Sequence, residues 1–142
     1  MLALKINDTK AFMVKLLKEN TFDSFILHKA AINTFAYFDI SGSESGTTWK
    51  LLREHVYAII KGDTSPKSIR ISFNLDQNNA NIDTDIDAAA LFINIHFENG
   101  NINLTSAISK KTFSLDKSDE FKWDEWVKNY LTANNIKFVS KI

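Results

Sequence analysis

The feature that most constrains the fold is the pair Asn99-Gly100, which stands between two runs of alternating apolar and polar residues. A two-residue type I′ turn needs positive φ at both central positions, and Asn followed by Gly meets this need most readily. With this pair as the loop, Ile95 faces Leu104, and residues 91–108 form a hairpin with one apolar and one mostly polar face. A shift of one residue would mix the two faces. The chain is therefore predicted to contain an antiparallel sheet with one buried face.

Residue spacing predicts the remaining elements. Amphipathic stripes predict three helices, over residues 8–19, from 47 or 48 to 61, and from 118 to 133. Alternation predicts strands over residues 2–6, 69–75 and 136–142, two strands within 25–40 with a bend at 30–33, and an edge strand within 110–115. We predict one α+β domain, residues 1–142, in the order β-α-β-β-α-β-β-β-α, with an antiparallel sheet of about six to seven strands and three helices.

Composition excludes several classes of protein. Seventeen basic and seventeen acidic residues give a formal net charge of zero, so overall charge does not favour nucleic acid or anionic membranes. The chain has no cysteine, which excludes disulfides and thiol catalysis. No apolar run is long enough to span a membrane, and the first residues lack the apolar core of a signal peptide. A cytoplasmic location without membrane association is expected.

Side chains that could carry catalysis are few. His28, His55 and His96 are far apart in the sequence and fit no zinc-binding spacing. No serine stands in a Gly-x-Ser-x-Gly motif. We therefore expect a non-catalytic protein without a metal or cofactor. A ligand site shared by His28, His96 and the loop at residues 83–87 is the alternative.

That loop contains Asp83, Asp85 and Asp87, a pattern similar to the start of a calcium-binding loop. The pattern then departs from the motif, because Ala88 stands where the motif needs Gly and Asn94 where it needs Glu. A solvated loop is the favoured interpretation, with binding of an ion as the alternative.

Two groups of side chains are candidate binding surfaces. Trp123, Trp126 and Tyr130 form a stripe on the third helix, and such residues dominate protein interfaces. The alternative is that this stripe belongs to the core. Basic residues on the first two helices would form a surface for phosphates if these helices lie side by side, whereas simple solvation of lysines is the alternative. The basic residues are Lys10, Lys15, Lys18, Lys50 and Arg53.

Several short segments carry a resemblance to a known family. They are residues 1–6, Phe12-Met13 with Leu16-Leu17, residues 22–25 and residues 60–66. Together they resemble a domain-of-unknown-function family of short proteins from clostridia-like bacteria, over most of the chain up to about Leu75. The resemblance implies a single bacterial cytoplasmic domain and assigns no activity, cofactor or functional residue.

The predicted order of elements is also similar to one domain of a DNA sliding clamp, in which basic helices face DNA. One such domain would encircle DNA only as part of a larger assembly, and a likeness of fold does not establish a function. The favoured hypothesis is a domain that binds another macromolecule, with a protein as the first choice of partner. DNA association through the first two helices, and binding of a small ligand or metal, are the alternatives.

Overall fold

A computed structural model describes residues 1–61, 66–75, 82, 86–111 and 115–141. In these ranges the chain forms three helices and seven strands, which confirms the predicted α+β class and the order of elements. The elements are β1 (Ala3–Ile6), α1 (Thr9–Leu17), β2 (Ile26–Asn33), β3 (Tyr37–Ser41), α2 (Trp49–Ile60), β4 (Ser68–Leu75), β5 (Ala90–Glu98), β6 (Asn101–Ser109), α3 (Ser118–Ala133) and β7 (Phe138–Ser140).

The seven strands form one antiparallel sheet in the order β3-β2-β4-β5-β6-β1-β7. The hairpin β5–β6 has the predicted register, with Ile95 opposite Leu104. Asn99 and Gly100 have φ values of 53° and 75°, as a type I′ turn requires. The first strand inserts between β6 and β7, so both ends of the described chain lie at one edge of the sheet.

Hydrogen bonds fix the residues at which the first two helices begin. Asp8 caps α1, because its Oδ1 accepts a hydrogen bond of 3.0 Å from the Ala11 N–H. Thr48 occupies the cap position of α2 without a side-chain hydrogen bond. There the N–H of Trp49 donates to the carbonyl of Phe25 at 2.9 Å. Gly62, which directly follows the predicted end of this helix at residue 61, lies outside the described residues.

All three helices cover the same face of the sheet. Phe73 of β4 contacts both Phe22 and Trp49, and Phe22 in turn contacts Phe12 of α1. On the same face, the Ser106 hydroxyl of β6 donates to a carboxylate oxygen of Asp124 in α3. The apolar core lies between the helices and this face. No helix in the described ranges is long and apolar enough to cross a membrane.

One predicted detail of the strands is wrong, and a second is not found among the described residues. The bend at residues 30–33 does not occur, because β2 continues to Asn33 and the turn comes at residues 34–36. Ala30 and Ile32 are fully buried on one face of a continuous strand, and this burial against the core keeps the chain extended there. Residues 110 and 111 are not in a strand, and residues 112–114 lie outside the described part of the chain. The edges of the sheet are β3 and β7.

Candidate binding site on the open face of the sheet

The face of the sheet opposite the helices, here called the open face, carries rows of polar side chains. One row runs from Arg70 on β4 through His96 on β5 and Asn103 on β6 to Lys5 on β1, each residue paired with the next. The row arises because these residues alternate with buried apolar residues along their strands. A second row beside it contains Lys29, Ser72, Asn94 and Thr105.

All residues of these two rows except Lys5 line a concavity of about 620 Å³. Its lining includes three cationic side chains, Lys29, Arg70 and Lys141, and one carboxylate, Asp39. In the part of the chain that the structure describes, none of these cations lies within 4.0 Å of a carboxylate oxygen. Cations that converge on a concave surface strengthen one another's field, which favours an anion there.

Uncharged groups in the concavity are oriented by the protein. The Ser72 hydroxyl donates a hydrogen bond of 2.7 Å to Oδ1 of Asn94. This bond fixes the Asn94 amide and leaves its Nδ2 hydrogens for another acceptor. Ser72 gives its proton to an amide oxygen and not to a base, so this serine is not arranged as a nucleophile.

His96 lies beside these groups. Its Nε2 is 3.1 Å from Oε2 of Glu98, but the two groups are not oriented for a hydrogen bond. Nε2 is buried and has no hydrogen-bond partner within the described ranges. A small movement of either side chain, or a bound acceptor, would satisfy this nitrogen.

Aromatic rings stand at two places on the open face. Tyr37, on edge strand β3, lines the concavity and is 66% exposed. His28 is the extra residue of a β-bulge between Leu27 and Lys29. Its ring centroid lies 5.4 Å from that of Phe92. Bulges commonly redirect a side chain in this way.

The predicted basic surface of the helices is only partly available. The two helices α1 and α2 contact each other, as expected, but Arg53 forms two hydrogen bonds to the Asp23 carboxylate, of 2.8 and 3.1 Å. Lys18 lies over the ring of Tyr57, with Nζ 5.2 Å from its centroid. Lys10 and Lys50 are exposed, and Lys15 is half-buried. The charge of Arg53 is therefore neutralised on this side of the molecule.

The predicted aromatic stripe of α3 is divided between core and surface. Trp123 is 0% exposed, and its Nε1 donates to the carbonyl of Phe92 at 3.2 Å, so Trp123 is a core residue and cannot contact a partner. Trp126 stacks between Trp123 and Tyr130, with ring centroids 5.2 and 5.1 Å away. Trp126 and Tyr130 are half-buried. Burial raises the pKa of the Tyr130 hydroxyl, and the charge of Asp23 raises it further.

The described ranges contain no cluster of three or more His, Cys, Asp or Glu side chains suited to a metal ion. Asp83 and Asp85, two of the predicted calcium-loop residues, lie outside these ranges. Asp87 is exposed, and its Oδ1 lies 3.8 Å from Nζ of Lys111. His55 is exposed on α2, away from His28 and His96 on the open face.

Comparison with known proteins places the chain in a family. The matching family model is described as "Family of unknown function (DUF5721)" and covers residues 42–139, more than half of the chain. The chain belongs to this family. The match confirms the resemblance to a family of unknown function, although it begins beyond the segments before residue 42 and continues well past Leu75. No curated protein and no solved structure matches the chain.

The family match includes Arg70, Asn94 and His96 but not Lys29 or Lys141. None of the three cations that line the concavity was selected from the sequence as a site residue. The available signal was the alternation of each strand, which already assigned Arg70 to the polar face of β4. What the sequence lacked was the order of strands, which brings these cations together.

Proposed function

We propose that the protein is a single-domain, non-catalytic binding module that holds an anionic macromolecule on the open face of its sheet. The observation that carries this proposal is the convergence of Lys29, Arg70 and Lys141 on one concavity without carboxylate partners among the described residues. A cation that is neutralised inside the protein, such as Arg53, has less to offer a ligand.

The chemistry of the lining supports an anion. The guanidinium of Arg70 has the planar fork that matches phosphate and carboxylate oxygens, and the Asn94 amide adds a fixed donor. The proposal of a non-catalytic role is supported by Ser72, whose proton is held by an amide oxygen. Binding would depend on the open face as a preformed surface, since its strands are paired along their whole length.

The test uses inorganic polyphosphate as the anion and isothermal titration calorimetry as the measurement. We expect Arg70→Glu and Lys29→Glu each to weaken binding by about fivefold or more at 0.1 M salt, since each cation that contacts a phosphate contributes about that factor. Lys50→Glu is the matched control on α2 and should bind like the wild type. A wild-type protein that does not bind, or an equal loss with Lys50→Glu, would contradict the proposal.

A protein partner is the second candidate, and apolar side chains at the start of α3 favour it. Phe121 is 65% exposed, and Leu115 is exposed nearby in the chain. Exposed aromatic residues are enriched where proteins meet, and half-buried Trp126 could contribute one ring edge. A photo-crosslinking residue at position 121 should give a discrete adduct in cells, whereas one at position 54 on α2 should not. The same products from both positions would argue against a partner.

DNA association through α1 and α2 remains an alternative proposal that rests on exposed Lys10 and Lys50. The variants described above separate it from the open face, because it requires Lys50→Glu to weaken binding to duplex DNA. Binding of a small ligand or metal near His28 and His96 is a further alternative, and a bacterial cytoplasmic location remains a prediction from the sequence.

A further inference from the structure

We infer that the anion held by the open face is a single-stranded nucleic acid. The inference rests on the proposed function and names the class of ligand. Three properties of the open face support it: the distance over which its cations are spread, its exposed aromatic rings, and the uncharged hydrogen-bonding groups between them.

The cations of the open face come from strands that are spread across the sheet. Lys29 lies on β2 and Lys5 on β1, which are separated by β4, β5 and β6. Neighbouring strands lie about 4.8 Å apart, so the two backbones are about 19 Å apart across the sheet. Arg70 lies between them. The backbone N–H of Lys141 donates a hydrogen bond to the carbonyl of Ala3 in β1, so Lys141 lies at the same side of the sheet as Lys5. A chain of phosphates can follow cations across this width, whereas a single phosphate is much smaller than the separation of the strands that carry them.

Aromatic rings provide surfaces on which bases can stack. Tyr37 is the most exposed ring that lines the concavity. It lies on edge strand β3, next to the strand β2 that carries Lys29. The His28–Phe92 pair provides a second ring surface on the same face. Single-stranded nucleic acids are bound by this combination of cations that follow the backbone and rings that stack on bases. Polyphosphate has no planar group that would use these rings.

Amide and hydroxyl side chains also line the concavity. Asn94, Asn103 and Thr105 can each donate or accept hydrogen bonds within the concavity. In a duplex the base faces are stacked and the base edges are paired, so proteins that use rings and amides in this way bind unpaired bases. The rings and amides of the open face therefore favour a single strand over duplex DNA.

Two carboxylates on this face oppose the inference, because they repel phosphates: that of Glu98, which lies beside His96, and that of Asp39, which lines the concavity. Asp39 lies on β3 opposite Ala31, two residues from Tyr37 and on the same face of that strand. The inference therefore predicts that Asp39→Asn binds a nucleic acid more tightly than the wild type does, by a few-fold.

The experiment measures fluorescence anisotropy of a labelled single-stranded oligouridylate of about ten nucleotides, a length within the range of known single-strand sites. Four phosphate contacts predict a salt slope of about −2.8, so affinity should fall about 50-fold between 50 and 200 mM salt. Arg70→Glu should weaken binding about fivefold or more. Tyr37→Leu should weaken it about fivefold or more through lost stacking, whereas Tyr37→Phe should keep it. Lys50→Glu is the control.

Parallel titrations with inorganic polyphosphate and with a duplex of matched length separate the outcomes. The inference is supported if Tyr37→Leu weakens binding of the oligouridylate but not of polyphosphate. It is overturned, while the proposed function survives, if polyphosphate binding needs Arg70 but oligouridylate binding is absent, is insensitive to Tyr37→Leu, or is no tighter than duplex binding. If neither probe binds, or if only Lys50→Glu weakens binding, both the inference and the proposed function fail.

Discussion

Trp123 tests how α3 is attached to the sheet. Its side chain is 0% exposed, and its indole N–H donates to the Phe92 carbonyl of β5. Trp126, its neighbour in the ring stack, is half-buried. The two tryptophans differ in burial but share a helix and a stack, so the pair gives a matched comparison of a core and a surface residue.

The expected magnitude follows from burial. Full burial of about 200 Å² of indole at about 25 cal/mol per Å² corresponds to a transfer free energy of about 5 kcal/mol. Loss of the N–H hydrogen bond adds about 1 kcal/mol, and Ala keeps a small part of the contact. We therefore expect Trp123→Ala to lower the free energy of unfolding by about 4–5 kcal/mol. Trp126→Ala should cost about 2–3 kcal/mol, since part of its surface is already in water.

Urea denaturation monitored by far-ultraviolet circular dichroism measures both losses. A domain of this kind has a total free energy of unfolding of about 5–15 kcal/mol, so Trp123→Ala could abolish folding. Trp123→Phe is the milder variant, and it should cost about 1–3 kcal/mol through the lost hydrogen bond and a small cavity. Equal losses for Trp123→Ala and Trp126→Ala, or a loss below about 1 kcal/mol for Trp123→Ala, would refute the assignment of Trp123 to the core.

Three further predictions concern stability. Gly42→Ala should destabilise by about 2 kcal/mol or more, measured in urea, because the new Cβ would lie 2.1 Å from the Leu27 carbonyl oxygen; an unchanged midpoint would contradict this close approach. Arg53→Ala should cost about 1–3 kcal/mol, because it leaves the Asp23 carboxylate, 15% exposed, without its partner; a double-mutant cycle with Asp23→Ala should show coupling, and additive losses would argue against the pair. Burial and the Asp23 charge raise the pKa of Tyr130 above 10.0, so the folded state favours the neutral phenol. That contribution is present below pH 10 and is lost as pH rises through the folded pKa, so the stability difference between wild type and Tyr130→Phe should shrink above pH 10; a constant difference would contradict it.

Local chemistry explains which parts of the fold the sequence predicted. The Asn99-Gly100 turn determines the register of β5 and β6 by itself, and every predicted pair of that hairpin is present. Asp8 likewise determines the start of α1 through a bond to Ala11, three residues away. In both cases the interacting groups are close in sequence, so their spacing is sufficient information.

Interactions between distant segments explain what the sequence did not predict. Asp23 and Arg53 are 30 residues apart, and nothing in the helical stripe of α2 indicates that Arg53 has a partner. The spacing of Trp123 and Trp126 on α3 does not distinguish a ring that faces the sheet from one that faces solvent. The sequence likewise does not indicate that β1 pairs with β6, about 100 residues further along the chain.

The candidate site follows the same rule. Alternation identifies the polar side of each strand, but only the order β2-β4-β5-β6-β1 brings Lys29, Arg70 and Lys5 onto one surface. Helical spacing is easy to see in a sequence, so the predicted basic surface lay on α1 and α2. In the described ranges, Lys29, Arg70 and Lys141 line one concavity without a carboxylate partner, and this grouping depends on the order of the strands.

The measurement that tests the open face most directly is a titration of ¹⁵N-labelled protein with inorganic polyphosphate, followed by ¹H–¹⁵N correlation spectra. We expect the largest changes at the side-chain amides of Asn94 and Asn103 and at Nε of Arg70, because these groups lie in the concavity. Resonances of α1 and α2 should change little. Changes concentrated on Lys10 and Lys50, with the open face unaffected, would contradict the account.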